Sequence, residues 1–568
     1  MRRGRRQRTP QRAPGVEWTA WCFLEVLGFR IDGKPAPEIA HRESTLLFLE
    51  THMRIALVLV LVLVSIVEAL GSARGKRPEE LLTVAEASGW RATSTHAQVV
   101  DLCRRLAASS PRIHMEVAGE TSEGRSLPIL VVAEPPVASP EDVGDRLVAF
   151  AWAGIHSGEV CGKPATLMLA RELAATADEP LLEGLVVVFL PLLNADGNDR
   201  MSPDNRPGQK GPVEGMGTRP NAAGLNINRD FTKLETREAQ AIARILTRWD
   251  PAVVMDLHTT NGSRHQYVLT FDGPRHPASA AGIRRLARDE LLPAVRRSIE
   301  AETGYKTFFY GNFSRKHTQW RTYPAAPRYS THYLGLRHHV GLLSEAYSYA
   351  SYQDRVMSTI AYVRHAFQWI ADHSEEVEAT IASASRHRPE RLALRQESKL
   401  SAEPILVLGY GGGRGEPQGA PATYEVLQDY ETVATLEVRF PHAYLFPAAL
   451  ADIASNLETH GVVVDSLALE TELEVEVYRI DSLDRAGRPV EGHRLTSVEV
   501  TPRIETLSFP AGTRVVRTAQ KLGILAGYLL EPQSEDGLCA WNLFDQTIAP
   551  EGDFPVVRLL SRVTLNVR

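Results

Sequence analysis

The chain runs to 568 residues, 43% hydrophobic and 23% charged, an ordinary globular composition; at roughly 100–200 residues per domain it has room for two or three. A formal net charge of −6 argues against a broad basic surface for nucleic acid, and the one basic block, MRRGRRQRTPQR, stands at the extreme N-terminus. Four cysteines, Cys22, Cys103, Cys161 and Cys539, are too few and too scattered for a disulfide framework, so packing has to supply the stability.

Residues 1–52 read as upstream sequence ahead of an expected start at Met53. Met53-Arg54 opens onto a Leu/Val run that reaches Val64 and continues through Ile66-Val67. An apolar core of about a dozen residues suits a secretory signal and falls short of the roughly 20 needed to span a bilayer. Gly71 and Ala73 place cleavage after Ala73, giving a signal peptide over 53–73, with Val67 and Ala69 as a second site. The sequence therefore predicts export to the periplasm or beyond the cell, with no stable membrane span after cleavage.

From about 80 to 385, short apolar runs alternate with helical patterns. The runs are Ile129–Val132, Leu147–Trp152, Leu185–Leu193, Ala252–Leu257 and Val340–Leu343. Helices are predicted over Pro164–Ala175, Glu235–Trp249, Ile283–Glu302 and Tyr352–Asp372. Such alternation predicts an α/β domain on a largely parallel or mixed sheet, with ligands gathered beyond the carboxyl ends of its strands. Residues 386–404 read as a polar linker, and 405–568 as a smaller β-rich accessory domain with one helix near Phe446–His460. The glycine cluster from Gly409 to Gly415 lacks phosphate-loop spacing and reads as a turn.

The chemistry gathers at strand ends. GIHSGEVCGKPA, holding His156 and Glu159, follows the run ending at Trp152, and Asp256-Leu257-His258 closes the run ending at Met255. Two imidazoles and a carboxylate form the ligand set of a catalytic zinc, whose fourth position stays open for water. Alone, His-x-x-Glu is a weak signal in a chain with 18 histidines. Other segments strengthen it: Arg219-Pro220-Asn221 leading to Asn226-Ile227-Asn228-Arg229-Asp230, then Leu342-Leu343-Ser344-Glu345, where a carboxylate ends an apolar strand. Glu123-Gly124-Arg125 adds a polar turn ahead of a strand.

This order, His-x-x-Glu, Asn-Arg, His, Glu, resembles the zinc carboxypeptidase family, the metallopeptidases related to carboxypeptidase A, in its bacterial exported type. The resemblance covers about 80 to 375 and implies a three-layer α/β/α domain with a mixed sheet. It implies one Zn2+ held by His156, Glu159 and His258, and Glu345 as the catalytic glutamate. It further implies that Asn228 and Arg229 bind the substrate's terminal carboxylate and that Arg219 polarises the scissile carbonyl. A tyrosine closing over substrate matches Tyr323, with Tyr329 as the alternative. The implied activity is hydrolysis of C-terminal peptide bonds. Alternatives are an amidase or deglutamylase on cell-wall or side-chain-linked peptides, or a non-catalytic peptide-binding homologue. A mere binder is expected to have lost a ligand or the base, and neither is missing.

One departure concerns Asn226, where many relatives carry an aspartate bonded to a ligating imidazole. An amide oxygen still orients His156 but does not raise its basicity as a carboxylate does, so weaker zinc binding is expected. Cys161 reads as a small buried residue opening the next helix. His265, His276, His317, His332 and the pair His338-His339 read mostly as surface or rim residues.

Overall fold

The computed structural model describes residues 81–414 and 419–568; the expected signal peptide at 53–73 lies outside them. These described residues form one compact unit that includes a mixed eight-stranded sheet. In chain order its strands are β1 (Ile113–Glu120), β2 (Ser126–Val132), β3 (Leu147–Ala153), β4 (Leu185–Leu190), β5 (Val253–Thr260), β6 (Leu269–Asp272), β7 (Thr307–Phe309) and β8 (Val340–Tyr347). They lie side by side as β1-β2-β4-β3-β5-β8-β6-β7. At the centre β4, β3, β5 and β8 run parallel. Antiparallel pairs join β1 to β2, β2 to β4, and β8 to β6.

The central strands are the apolar runs of the sequence. Every residue of β4, LVVVFL, is buried, which requires cover on both faces of the sheet. Helices Gly162–Ala175 and Tyr352–Asp372 pack on the sheet and on each other, and Arg237–Trp249 packs against β1. The Thr236 side chain starts that last helix by accepting the Ala239 N–H, and Asp250 ends it at φ 43°. The predicted α/β arrangement with a mixed sheet is the one observed. The helix expected over Ile283–Glu302 is interrupted, because Leu286–Leu291 widens into a π-turn before Leu292–Thr303. Pro293 lacks an N–H, and its ring crowds the preceding turn, which accounts for the widening. No helix among the described residues is long and apolar enough to cross a membrane.

After the helix Ser374–Arg386 the chain is β-rich, with two departures from expectation. The stretch expected as linker carries a strand, Arg391–Lys399, paired with Glu431–Arg439. The glycine cluster expected as a turn lies largely in the strand Ile405–Arg414. Close approach explains a glycine there: a Cβ on Gly409 would lie 2.7 Å from the Phe313 ring and 3.1 Å from the Arg264 carbonyl. That strand and Pro421–Gln428 share a sheet with Ser263–His265, Asn312–Phe313 and Gln319–Arg321, so segments from before and after 386–404 pair together. A further six-stranded sheet includes the long hairpin Thr471–Arg485 and Thr496–Phe509.

Candidate active site

Three adjacent parallel strands deliver the site. The turn after β3 carries His156 and Glu159, while His258 and Glu345 lie near the carboxyl ends of β5 and β8. His258 and Glu345 are register partners across those two strands. In the turn, the Glu159 N–H donates to the His156 carbonyl at 2.9 Å and the Gly158 N–H to the Thr218 carbonyl at 3.3 Å. Position 158 demands glycine, since a Cβ would sit 2.7 Å from the Gly217 carbonyl oxygen.

His156, Glu159 and His258 are buried, and one donor atom from each lies within 4.8 Å of the others. Nδ1 of His156 is 3.1 Å from Glu159 Oε1, and Nδ1 of His258 is 2.9 Å from Oε2. The outer nitrogens are already engaged: His156 Nε2 meets Asn226 Oδ1 at 2.9 Å, and His258 Nε2 meets Asp256 Oδ2 at 2.8 Å. Asn226 Oδ1 also accepts the Asn228 N–H at 3.1 Å, which fixes the amide's orientation. Both outer partners are acceptors, so each ring keeps a proton on Nε2 and offers Nδ1 to the cluster. Two inward nitrogens and a carboxylate fit one zinc ion with a position open to water.

The electrostatics are strongly coupled. Burial pushes the His156 ring below its usual value. Burial acts likewise on His258, but the carboxylates of Asp256 and Glu159 outweigh it and hold that ring well above 6.5. Zinc therefore has to displace a His258 proton as it binds. Glu159 resists burial because His156 and Arg206 hold its carboxyl well below the ordinary value. At Glu345 burial outweighs the opposing pull of His258 and Arg219. Burial, with Glu159 adding repulsion, pushes its carboxyl up to about 8, and its Oε2 has no hydrogen-bond partner.

All eight residues expected at the site line one cleft of about 580 Å³. Arg219 Nη1 lies 3.3 Å from His156 Nδ1 and 3.5 Å from Glu159 Oε1. Asn228 Oδ1 accepts the Ser330 N–H at 3.1 Å. The Arg229 Nη1 donates to the Asn228 carbonyl at 2.6 Å, and its guanidinium carbon stands 4.2 Å from the Tyr329 ring centre. Tyr329 is thus the tyrosine set against Arg229. Tyr323 lines the cleft behind it, edge-on to Tyr329 at 5.1 Å and stacked on His332. Asp230 steadies this loop by accepting the Thr236 N–H at 2.7 Å and pairing with Lys233 at 2.6 Å.

Sequence patterns alone miss Arg206, whose Nη1 donates to Glu159 Oε1 at 3.1 Å and Nη2 to the Thr259 carbonyl at 3.2 Å. Nothing in Asn205-Arg206-Pro207-Gly208 marks it. They also miss the part played by Asp256, although period-two alternation places that residue on the same strand face as His258. The histidines expected at surface or rim are largely buried: His265, His276, His332, His338 and His339 all lie inside. Burial pushes His265 and His276 down to about 3 and His338 to about 4, so they pack as neutral rings. Cys161 is buried just ahead of the helix Gly162–Ala175, as expected.

The donor set, the cleft and the carboxylate beside it define a metal-dependent hydrolase. Residues 99–261 match the family described as zinc carboxypeptidase, a span that holds the three donor residues and ends before Glu345. The chain is 24% identical over 479 residues to carboxypeptidase 2 of Trichophyton equinum, covering 80% of this chain and 85% of that protein. Carboxypeptidase 2 of Trichophyton rubrum is 23% identical over the same shares. Among solved structures, carboxypeptidase A from Helicoverpa armigera aligns with a TM-score of 0.37 and 17% identity, over 52% of this chain and 75% of that one. The likeness to the zinc carboxypeptidase family lies in residues 99–261, and the chain is a zinc-dependent peptide hydrolase.

The outer partners of the two rings suggest a direct test of zinc affinity. Asn226→Asp is expected to tighten zinc binding about tenfold, by giving His156 the carboxylate support His258 already has. Competition with a chromogenic chelator measures it, and an affinity unchanged or lowered refutes the expectation.

Proposed function

We propose that the enzyme is a metallocarboxypeptidase that releases the C-terminal residue of peptides. The observation that carries this reading is the Arg229 guanidinium. It is half-buried in the same cleft as the metal donors, where its guanidinium meets the Asn228 carbonyl and the Tyr329 ring. Burial pushes it below its usual value, an unfavourable state that a bound carboxylate relieves. Its planar fork suits a terminal carboxylate in a way that a lysine does not.

When bound, zinc lowers the pKa of water from about 15.7 toward about 7 and polarises the scissile carbonyl. Glu345 takes the proton of the attacking water and returns it to the leaving amine, acting as base and then acid. Its raised pKa suits a group that must both accept and release a proton near neutrality. Arg219 offsets the negative charge that grows on the carbonyl oxygen. Asn228 and Arg229 hold the terminal carboxylate, and the Tyr329 and Tyr323 rings close that end of the cleft. The expected workplace is the periplasm or the cell exterior, a reading supported by the signal-like segment over 53–73.

The test compares peptides ending in a free carboxylate with the same peptides amidated. Single residues should be released from the first and not from the second, and Arg229→Ala should raise KM about 10–100-fold for the first. Equal turnover of both peptides would point instead to an amidase acting on other amide bonds.

A further inference from the structure

The hairpin joining Thr471–Arg485 to Thr496–Phe509 lies far from the metal donors in sequence, yet its tip reaches Asn226, the residue bonded to His156. Its tip is closed by the Val490 and His493 bridge, with Glu491 between them at φ 48°. A glutamate in the left-handed region is held there by its surroundings at some cost in free energy. Glu491 Oε2 accepts the Asn226 N–H at 2.8 Å. His493 Nε2, from the same tip, lies 2.8 Å from Glu235 Oε1. The tip therefore holds the loop at both ends, at Asn226 just before Asn228-Arg229 and at Glu235 just after.

The opposite wall is held from the C-terminal region too. Asp536 is fully buried; its Oδ2 accepts the Arg328 N–H at 2.9 Å, and its Oδ1 is 2.7 Å from Arg328 Nη2. Arg328 immediately precedes Tyr329, whose ring lies against the Arg229 guanidinium. Arg229 and the Tyr329 ring against it thus sit on two loops, each tied by a carboxylate of the last hundred residues.

We propose that Glu491 is a positioning residue for the Arg229 subsite. By bonding the Asn226 N–H it fixes the Asn226–Arg229 turn against the wall that Asp536 holds, and so makes the C-terminal region part of the substrate site. This rests on Arg229 binding the substrate's terminal carboxylate. Loss of the bond removes no zinc donor and loosens the turn that carries the guanidinium; because Asn226 also bonds His156, zinc occupancy is measured beside KM. The effect should therefore fall on KM and spare kcat.

The experiment uses the full zinc-loaded chain and a peptide with a free C-terminus. Glu491→Ala should raise KM about tenfold with kcat within about twofold of the parent and zinc at one per chain, while Glu491→Gln, which keeps an acceptor oxygen, recovers most of the loss. Should the alanine variant not fold, Glu491→Asp, with a side chain one carbon shorter, is read in the same way. A KM that stays at the parental value, a fall in kcat alone, or a glutamine variant as impaired as alanine overturns the proposal. If Arg229→Ala itself leaves KM unmoved, the carboxylate reading is what fails. If Arg229→Ala raises KM and Glu491→Ala does not, only the role of Glu491 falls.

Discussion

Replacing Glu345 by glutamine is expected to lower kcat about 10²–10⁴-fold while the protein still holds one zinc per chain. The glutamine is nearly isosteric and keeps a carbonyl oxygen, but it has no site for the water proton at neutral pH. Single-turnover assays with metal analysis in parallel make the measurement, and a fully active, zinc-loaded variant would remove Glu345 from its role. The same variant has a second readout in the metal-free protein. The carboxyl titrates near 8 in the fold against an ordinary 4.5, so the folded state binds its proton more tightly than the unfolded state. Its contribution is complete below 4.5 and is lost as pH rises through 8. Metal-free parent should lose thermal stability across that window and Glu345→Gln should lose less. Zinc should flatten the parental curve, because a nearby cation favours the ionised carboxylate.

Glu159→Gln is expected to abolish zinc binding and turnover together. An amide oxygen is a poor ligand beside two imidazoles, and it no longer balances the guanidinium of Arg206, which lies 3.1 Å away. Removing one partner of a buried ion pair typically costs about 3–5 kcal/mol, so the variant should also unfold at lower denaturant. Metal analysis, an activity assay and a urea titration read the three effects. Parental activity with one zinc per chain would show that Glu159 is not a ligand.

What is legible in the sequence follows from where the information lies. β3, β5 and β8 are continuous apolar runs because both faces of a central parallel sheet are buried. His156, Glu159, His258 and Glu345 can be found because each sits at or just past the end of such a run. The helix Tyr352–Asp372 is readable to the residue from its amphipathic spacing. Arg206, Glu491 and Asp536 are not readable, since they reach the site from loops and turns whose sequence has no period. Glu491 meets Asn226 across 265 positions, a closure that exists only in the folded chain. The buried histidines mislead for another reason: an imidazole forced neutral packs like any aromatic ring, and its letter does not say which form it takes.

The pairing of His258 with Glu345 across β5 and β8 has a consequence for how the enzyme can vary. Neighbouring strands stand about 4.8 Å apart, so the gap between His258 and Glu345 is a property of the backbone ladder. Loops around the cleft can lengthen or change sequence without touching that gap. A slip of β8 by a single residue would turn Glu345 to the far side of the sheet. The rim is thus free to drift in sequence while the spacing of His258 and Glu345 is locked by main-chain hydrogen bonds.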